Sequence, residues 1–246
     1  MESDTQLSTA TLIITLIISL ALAAIHLWSP QLHRWFYHSN EEKITCFTGG
    51  LAIAYVFCTL LPEVENIENE LGGHYYVLGG FLLFYALQRL AWLLENRSKN
   101  EKNLPRFGIE IGYKAIYNFL VIYAVPEEFE VGSGGIFLYI LAMGLHLLND
   151  DYDTSKNHGH LFHRWGRYIL IGSIAFAFLM DISRPFNPIA AEILLAALSG
   201  ALIFNIFKEE VPDVDRVIGK ESHFSLFFFG VATYLVLGFG SWLIQL

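Results

Sequence analysis

Charge is scarce in this sequence. Asp, Glu, Lys and Arg make up 16% of its 246 residues, against about 25% in ordinary soluble domains. A chain that is also 54% hydrophobic, with a mean hydropathy of +0.45, lacks the polar surface to meet water on every side. This excludes an ordinary soluble domain and indicates a membrane protein. Cysteine is almost absent: Cys46 and Cys58 are the whole supply, and their spacing fits no metal-ligand pattern. No Pro/Gly/Ser-rich linker or low-complexity tract divides the chain, so residues 1–246 are expected to form one membrane domain. The start "MESD" lacks the positive segment of a signal peptide, so the first apolar run is expected to be a span despite its "ALAA".

What is present is a series of eight apolar runs, approximately 10–29, 44–61, 75–94, 108–125, 134–149, 168–182, 189–207 and 223–245. The expected fold class is therefore all-α, a polytopic membrane protein with eight transmembrane helices. Basic residues are nearly absent from half of the loops. Of 15 Lys and Arg, 12 fall after the first, third, fifth and seventh runs: Arg34, Lys43, Arg97, Lys99, Lys102, Arg106, Lys156, Arg164, Arg167, Lys208, Arg216 and Lys220. The opposite loops and both termini hold only Arg184. Basic loops stay in the cytoplasm during insertion, so both termini are expected to be extracytoplasmic, in a plasma (inner) membrane. The remaining cations, Arg89 and Lys114, lie inside runs three and four.

The loops assigned to the outside are acidic, with Glu63, Glu65, Glu68 and Glu70 before His74, and Glu127, Glu128 and Glu130 after run four. They are either solvated loops or devices that concentrate cations near a pore mouth. The net charge of −9 gives no reason to expect a nucleic-acid partner. The expected surroundings are the lipid bilayer, and Gly79, Gly80 and Gly230 would permit close helix packing within the chain or in a homodimer.

A faint internal repeat links "GLAIAYVFCTLLPE" (50–63) to "GALIFNIFKEEVPD" (200–213). Each has a Gly twelve residues before a Pro that an acid follows, with Ile53 matching Ile203 and Phe57 matching Phe207. Runs two and seven would cross in opposite senses, so the repeat would be inverted around a central pair, runs four and five, where transporters place their substrate. There, "GLHLLND" puts His146 and Asp150 four apart on one helix face, so that an imidazole and a carboxylate can converge on one ion. Asn118 can add a carbonyl oxygen from the neighbouring helix. Lys114, one turn before Asn118, could instead reach Asp150 as a tethered cation, and Arg89 is a second candidate for that role; both could also snorkel to the interface. His158, His160 and His163 follow in "DYDTSKNHGHLFHR", expected to be a cytoplasmic loop that could bind zinc weakly or simply be solvated.

The topology, the Pro-acid helix ends "LLPE" and "VPD", and "LAMGLHLLND" together resemble the Zrt/Irt-like, or ZIP, family of divalent-metal transporters. The resemblance implies a 3+2+3 inverted-repeat arrangement and a Zn²⁺ or Fe²⁺ ion transported or bound between spans four and five. It also implies His146, Asp150 and Asn118 as ligands; Asn149, with His158, His160 and His163, is a candidate accessory metal residue. The family's fourth-span motif, His-Asn-x-Pro-acid-Gly, departs strongly here: in "YNFLVI" (117–122) only Asn118 survives, with Tyr117, Leu120 and Val121 at the His, Pro and acid positions. Three readings follow: a divalent-metal carrier, not an enzyme; a non-transporting ZIP-fold binding or sensing subunit; or a membrane-embedded metal hydrolase in which His158, His160 and His163 join Asp150 or Asp151 to hold a catalytic metal.

The topology makes a direct prediction. In a variant lacking Cys46 and Cys58, Glu128→Cys should react with a membrane-impermeant maleimide on intact cells, and Lys99→Cys only after permeabilisation.

Overall fold

The computed structural model describes residues 9–38, 40–65, 72–97, 104–123, 135–183, 188–211 and 224–245. Among these residues every regular element is helical and there is no strand. The helices are α1 (Thr9–Phe36), α2 (Glu41–Tyr55), α3 (Leu61–Glu65), α4 (Gly73–Arg97), α5 (Leu104–Tyr123), α6 (Gly135–Leu161), α7 (Arg167–Ser183), α8 (Pro188–Glu209) and α9 (Phe224–Gln245). A π-helical turn, Val56–Leu60, fuses α2 to α3, and a second, Phe162–Gly166, joins α6 to α7. Five helical stretches are long and apolar enough to cross a membrane: Thr9–Phe36, Glu41–Glu65, Gly73–Leu94, Gly135–Ser183 and Ile189–Glu209. Glu68, Glu70 and the acidic stretch after run four, with Lys99, Lys102, Arg184, Arg216 and Lys220, lie outside the described residues.

Burial is distributed as lipid requires. Bulky apolar side chains such as Trp28, Phe57, Phe229 and Val236 are exposed, while His26, Lys114, Asp150 and Glu210 are buried. In water this pattern would be costly on both counts, but against hydrocarbon it is the stable one. The chain is a helical membrane protein.

One expectation is corrected. The stretch "DYDTSKNHGHLFHR" is not a loop: α6 continues through it to Leu161, and the chain reverses only around Gly159 (φ 31°) and the π turn that follows. The reversal is visible in the neighbours of α5: Phe107 lies by Gly166 and Phe119 by Phe176, so α7 runs parallel to α5, whereas Lys114 meets Asp150 and Glu110 meets His158, so α6 runs antiparallel to it. The onset of polar residues after Asn149 marks where the helix leaves apolar surroundings, not where helix stops. Polar side chains sustain it through contacts such as Asn157 Nδ2 to Asp153 Oδ2, 3.1 Å.

The tightest packing joins α4 to α8 and α2 to α9. Each is a parallel pair held by glycines against a partner's backbone. An added Cβ at Gly50 would lie 1.9 Å from the Phe227 carbonyl oxygen, and at Gly230 2.1 Å from that of Phe47. The other pair has the same geometry: Gly200 would meet the Val77 oxygen at 1.9 Å and Gly80 that of Ala197 at 2.0 Å. Every member of the second set stands 150 residues from a member of the first: 50 and 200, 47 and 197, 80 and 230, 77 and 227. The same offset relates two widened helical turns, because the N–H of Leu61 donates to the Val56 carbonyl and that of Val211 to Ile206, each five residues back and just before a proline. Proline supplies no N–H and crowds the carbonyl four residues earlier, which favours the wider turn. Next in closeness come α5 with α7 and α1 with α6. The central helices α5 and α6 approach each other less closely than these and are joined by long polar side chains.

Substitution of any of the four contact glycines by Ala should therefore lower stability by roughly 1–3 kcal/mol or more through overpacking. Gly79→Ala and Gly172→Ala, where an added Cβ meets nothing within 4 Å, should be near neutral. Thermal unfolding in detergent separates the two groups.

Candidate functional site

The candidate site is the polar layer between α1, α5, α6 and the end of α8. Its position follows from spacing. On α5, Arg106, Glu110, Lys114 and Asn118 recur every four residues and share a face; on α6, His146, Asp150, Thr154 and His158 do the same.

At the centre the Lys114 ammonium is 2% exposed and donates to Asp150 Oδ1 at 2.7 Å, Thr154 Oγ1 at 2.5 Å and the Asp150 carbonyl at 3.2 Å. A second carboxylate, Glu110, stands 3.7 Å away on the same helix. Glu110 Oε2 also meets His158 Nε2 at 2.9 Å and Arg106 Nε at 3.7 Å. Three donors directed at oxygens satisfy the ammonium without water, which is what burial of a charge demands.

Further inward, His146 Nδ1 pairs with Glu210, and both side chains are 1% exposed. Glu210 reaches this depth because α2 offers Gly49 opposite it: a Cβ there would come within 2.7 Å of the Glu210 Cβ. On the α1 side, Asn118 Nδ2 donates to His26 Nε2 at 3.2 Å, which leaves His26 Nδ1–H to donate to Asp151 Oδ2 at 2.9 Å. Pro30 helps to shape this corner. It cannot donate to the His26 carbonyl one turn back, and the Ser29 hydroxyl supplies that hydrogen bond instead at 3.0 Å.

The residues proposed from sequence thus separate. His146 is held by Glu210, Asp150 by Lys114 and Asn118 by His26, so each of the three is engaged with a different partner. Asn149 offers its oxygen to Thr45 at 2.9 Å and Tyr37 at 3.4 Å, tying α6 to α2 and to the end of α1. The three histidines after Asp150 do not converge either: His158 is on Glu110, His163 Nε2 is 3.1 Å from Ser155 Oγ, and His160 is exposed. Arg89 is exposed, with its guanidinium 4.2 Å from the Trp92 ring, so it is not the cation at Asp150. Among the described residues no three His, Cys, Asp or Glu side chains are grouped to hold a metal ion.

Sequence reasoning passed over Glu110, His26, Thr154 and Glu210, and weighed Asp151 only as a metal ligand beside the later histidines. Signals existed: Glu110 lies four residues before Lys114, His26 interrupts an apolar run, and Glu210 sits in the "KEEVPD" end already aligned as a repeat. Several buried polar atoms here have no partner: His146 Nε2, Glu210 Oε2, Asn118 Oδ1, Asp151 Oδ1 and the Tyr117 hydroxyl. Toward α3 and the start of α6 the layer is closed by Val121, Tyr55, Tyr139 and Tyr234, all buried. On the face bearing Arg34, Lys43 and Lys156, a cavity of about 890 Å³ opens over the stacked rings of Tyr37 and Tyr152.

No family model, curated protein or solved structure matches this chain.

Lys114→Met leaves Asp150 buried without its cation and should destabilise the protein by about 3–5 kcal/mol. The double variant Lys114→Met/Asp150→Asn, which removes both charges, should recover most of that loss. Unfolding midpoints of the two variants and the wild type in one detergent provide the measurement.

Proposed function

We propose that this chain is an integral membrane protein of ZIP-like architecture in which internal ion pairs stand where the family binds metal. It would serve as a non-transporting binding or sensing subunit and not as a zinc or iron carrier. The single observation carrying this reading is the buried Lys114–Asp150 contact at 2.7 Å. An ammonium there satisfies the carboxylate that a divalent ion would need, and a cation entering beside it would meet like-charge repulsion in a medium that screens poorly.

The architecture is supported by the 150-residue offset between the two glycine-packed pairs. Exchanging spans two and seven, three and eight, and four and five maps close contacts onto close contacts, as a 3+2+3 inverted repeat requires. In this reading the eight helical segments all cross the bilayer, the basic face carrying Arg34, Lys43 and Lys156 is cytoplasmic, and both termini lie outside.

A second reading, a divalent-metal carrier, is favoured by the unpartnered His146 Nε2 and Asn118 Oδ1. Both could turn to an ion once Lys114 had left Asp150. Zn²⁺, Fe²⁺ and Mn²⁺ uptake into liposomes separates the two. The proposed function predicts equal flux in protein-containing and empty vesicles; metal flux that His146→Ala/Asp150→Ala abolishes would establish the carrier instead.

A further inference from the structure

The polar extension of α6 also walls a cavity outside the central layer. With the end of α1 and the start of α2 it encloses about 890 Å³, within the ~300–1,000 Å³ typical of small-ligand sites. The floor is built: the Tyr37 and Tyr152 rings stack at 4.3 Å, and His33 stands edge-on to both at 5.6 and 5.2 Å. The Tyr37 hydroxyl donates to Asn149 Oδ1 at 3.4 Å and that of Tyr152 to Glu41 Oε2 at 2.9 Å, which fixes the platform in place. Arg34, Lys43 and Lys156 stand in the wall. We propose that this cavity binds the headgroup of an anionic phospholipid, with Arg34 and Lys43 engaging the phosphodiester and the two tyrosines carrying a hydroxylated head. The inference goes beyond the ion-pair reading and does not depend on what occupies the centre.

The charges in the wall select the ligand. Lys156 is already committed, donating to Glu41 Oε1 at 2.7 Å. Arg34 and Lys43 are exposed, and among the described residues no carboxylate pairs with either. Glu42 is the other acid in the wall, so three fixed cations face two carboxylates. The excess of one positive charge matches a phosphodiester, which carries one negative charge, better than a free phosphate monoester, which carries nearly two. Gln31 and Asn40 add side-chain amides to the same wall, with donors and acceptors for hydroxyl groups. A choline head would offer those amides no hydroxyl and would cancel the charge that Arg34 and Lys43 require.

The depth of the cavity fits a lipid. Trp28, Trp35 and Trp165 are exposed at this end of the protein, the first two seven residues apart and so on one face of α1. The Arg164 guanidinium lies 5.6 Å from the Trp165 ring, and Arg167 donates to the Leu27 carbonyl at 3.3 Å. Exposed tryptophan beside arginine marks the headgroup zone of a bilayer, where basic pockets between helices take acidic headgroups. Leu20 and Leu27, exposed further along α1, continue from the cavity toward hydrocarbon and offer a surface for the acyl chains.

The test titrates the full chain, delipidated in detergent, with phosphatidylglycerol or phosphatidylcholine of the same acyl chains and reads binding by native mass spectrometry. Phosphatidylglycerol should bind several-fold more tightly. Arg34→Gln/Lys43→Gln should bring its affinity down to that of phosphatidylcholine, whereas Arg89→Gln/Arg164→Gln, which removes the same charge outside the cavity, should leave it unchanged. The replaced side chains are exposed, so each variant should elute as the wild type does; Arg34→Gln alone, read the same way, decides the matter if the pair does not. Equal affinity for the two lipids in the wild type, undiminished phosphatidylglycerol binding by the Arg34/Lys43 variant, or an equal loss in the control pair would overturn the inference. Displacement of the lipid by an equal concentration of glycerol 3-phosphate would assign the cavity to a soluble phosphate and overturn the lipid assignment. Zinc flux into liposomes contradicts the ion-pair reading alone, so the two proposals fail separately.

Discussion

The contact between Lys114 and Asp150 constrains everything around it. A charge on either side chain alone, at this depth, would be among the most expensive features a membrane protein could carry. Together, with Thr154 and the Asp150 carbonyl completing the shell, they can be tolerated, and their geometry fixes where α5 and α6 stand. Because the backbones of these two helices stay further apart than the other packed pairs, the polar bridges are the main link between them. The other buried pairs, His146 with Glu210 and His26 with Asp151, brace the same layer from α8 and α1.

Around that layer the packing is of a different kind. The α2–α9 and α4–α8 pairs are apolar and set by glycine, with close approach limited by backbone alone. Lipid offers apolar side chains no reason to prefer protein, so such contacts rely on shape and dispersion, and small residues determine them. The result is two dense outer pairs flanking a looser, charged centre. A rigid rim around a polar middle is an arrangement that can change state at the centre without unpacking its sides.

Much of the fold was legible in the sequence, for physical reasons that can be stated. Apolar runs had to become helices because lipid satisfies no backbone group, and the described residues of all eight runs are helical. Gly50, Gly200, Pro62 and Pro212 disclosed the 150-residue relation, since glycine contact and the proline-widened turn are read from residue identity alone. The extent of α6 was not legible, because polarity reports depth in the membrane and not backbone state. The site was legible only in part. Asp150, His146, Asn118 and Lys114 could be placed near one another by helical spacing, but which acid takes which base depends on helix rotation. That is why Glu210 and Asp151, on or beside other helices, could take His146 and His26, and why Arg89 turned to Trp92.

The account stands or falls on what neighbours Asp150 when metal is plentiful. The most direct measurement is an experimental structure of the protein in lipid nanodiscs with excess Zn²⁺. The account predicts Lys114 Nζ within hydrogen-bond reach of Asp150, with His146 still on Glu210 and no metal between them. A zinc ion bridging Asp150 and His146, with Lys114 displaced, would contradict it.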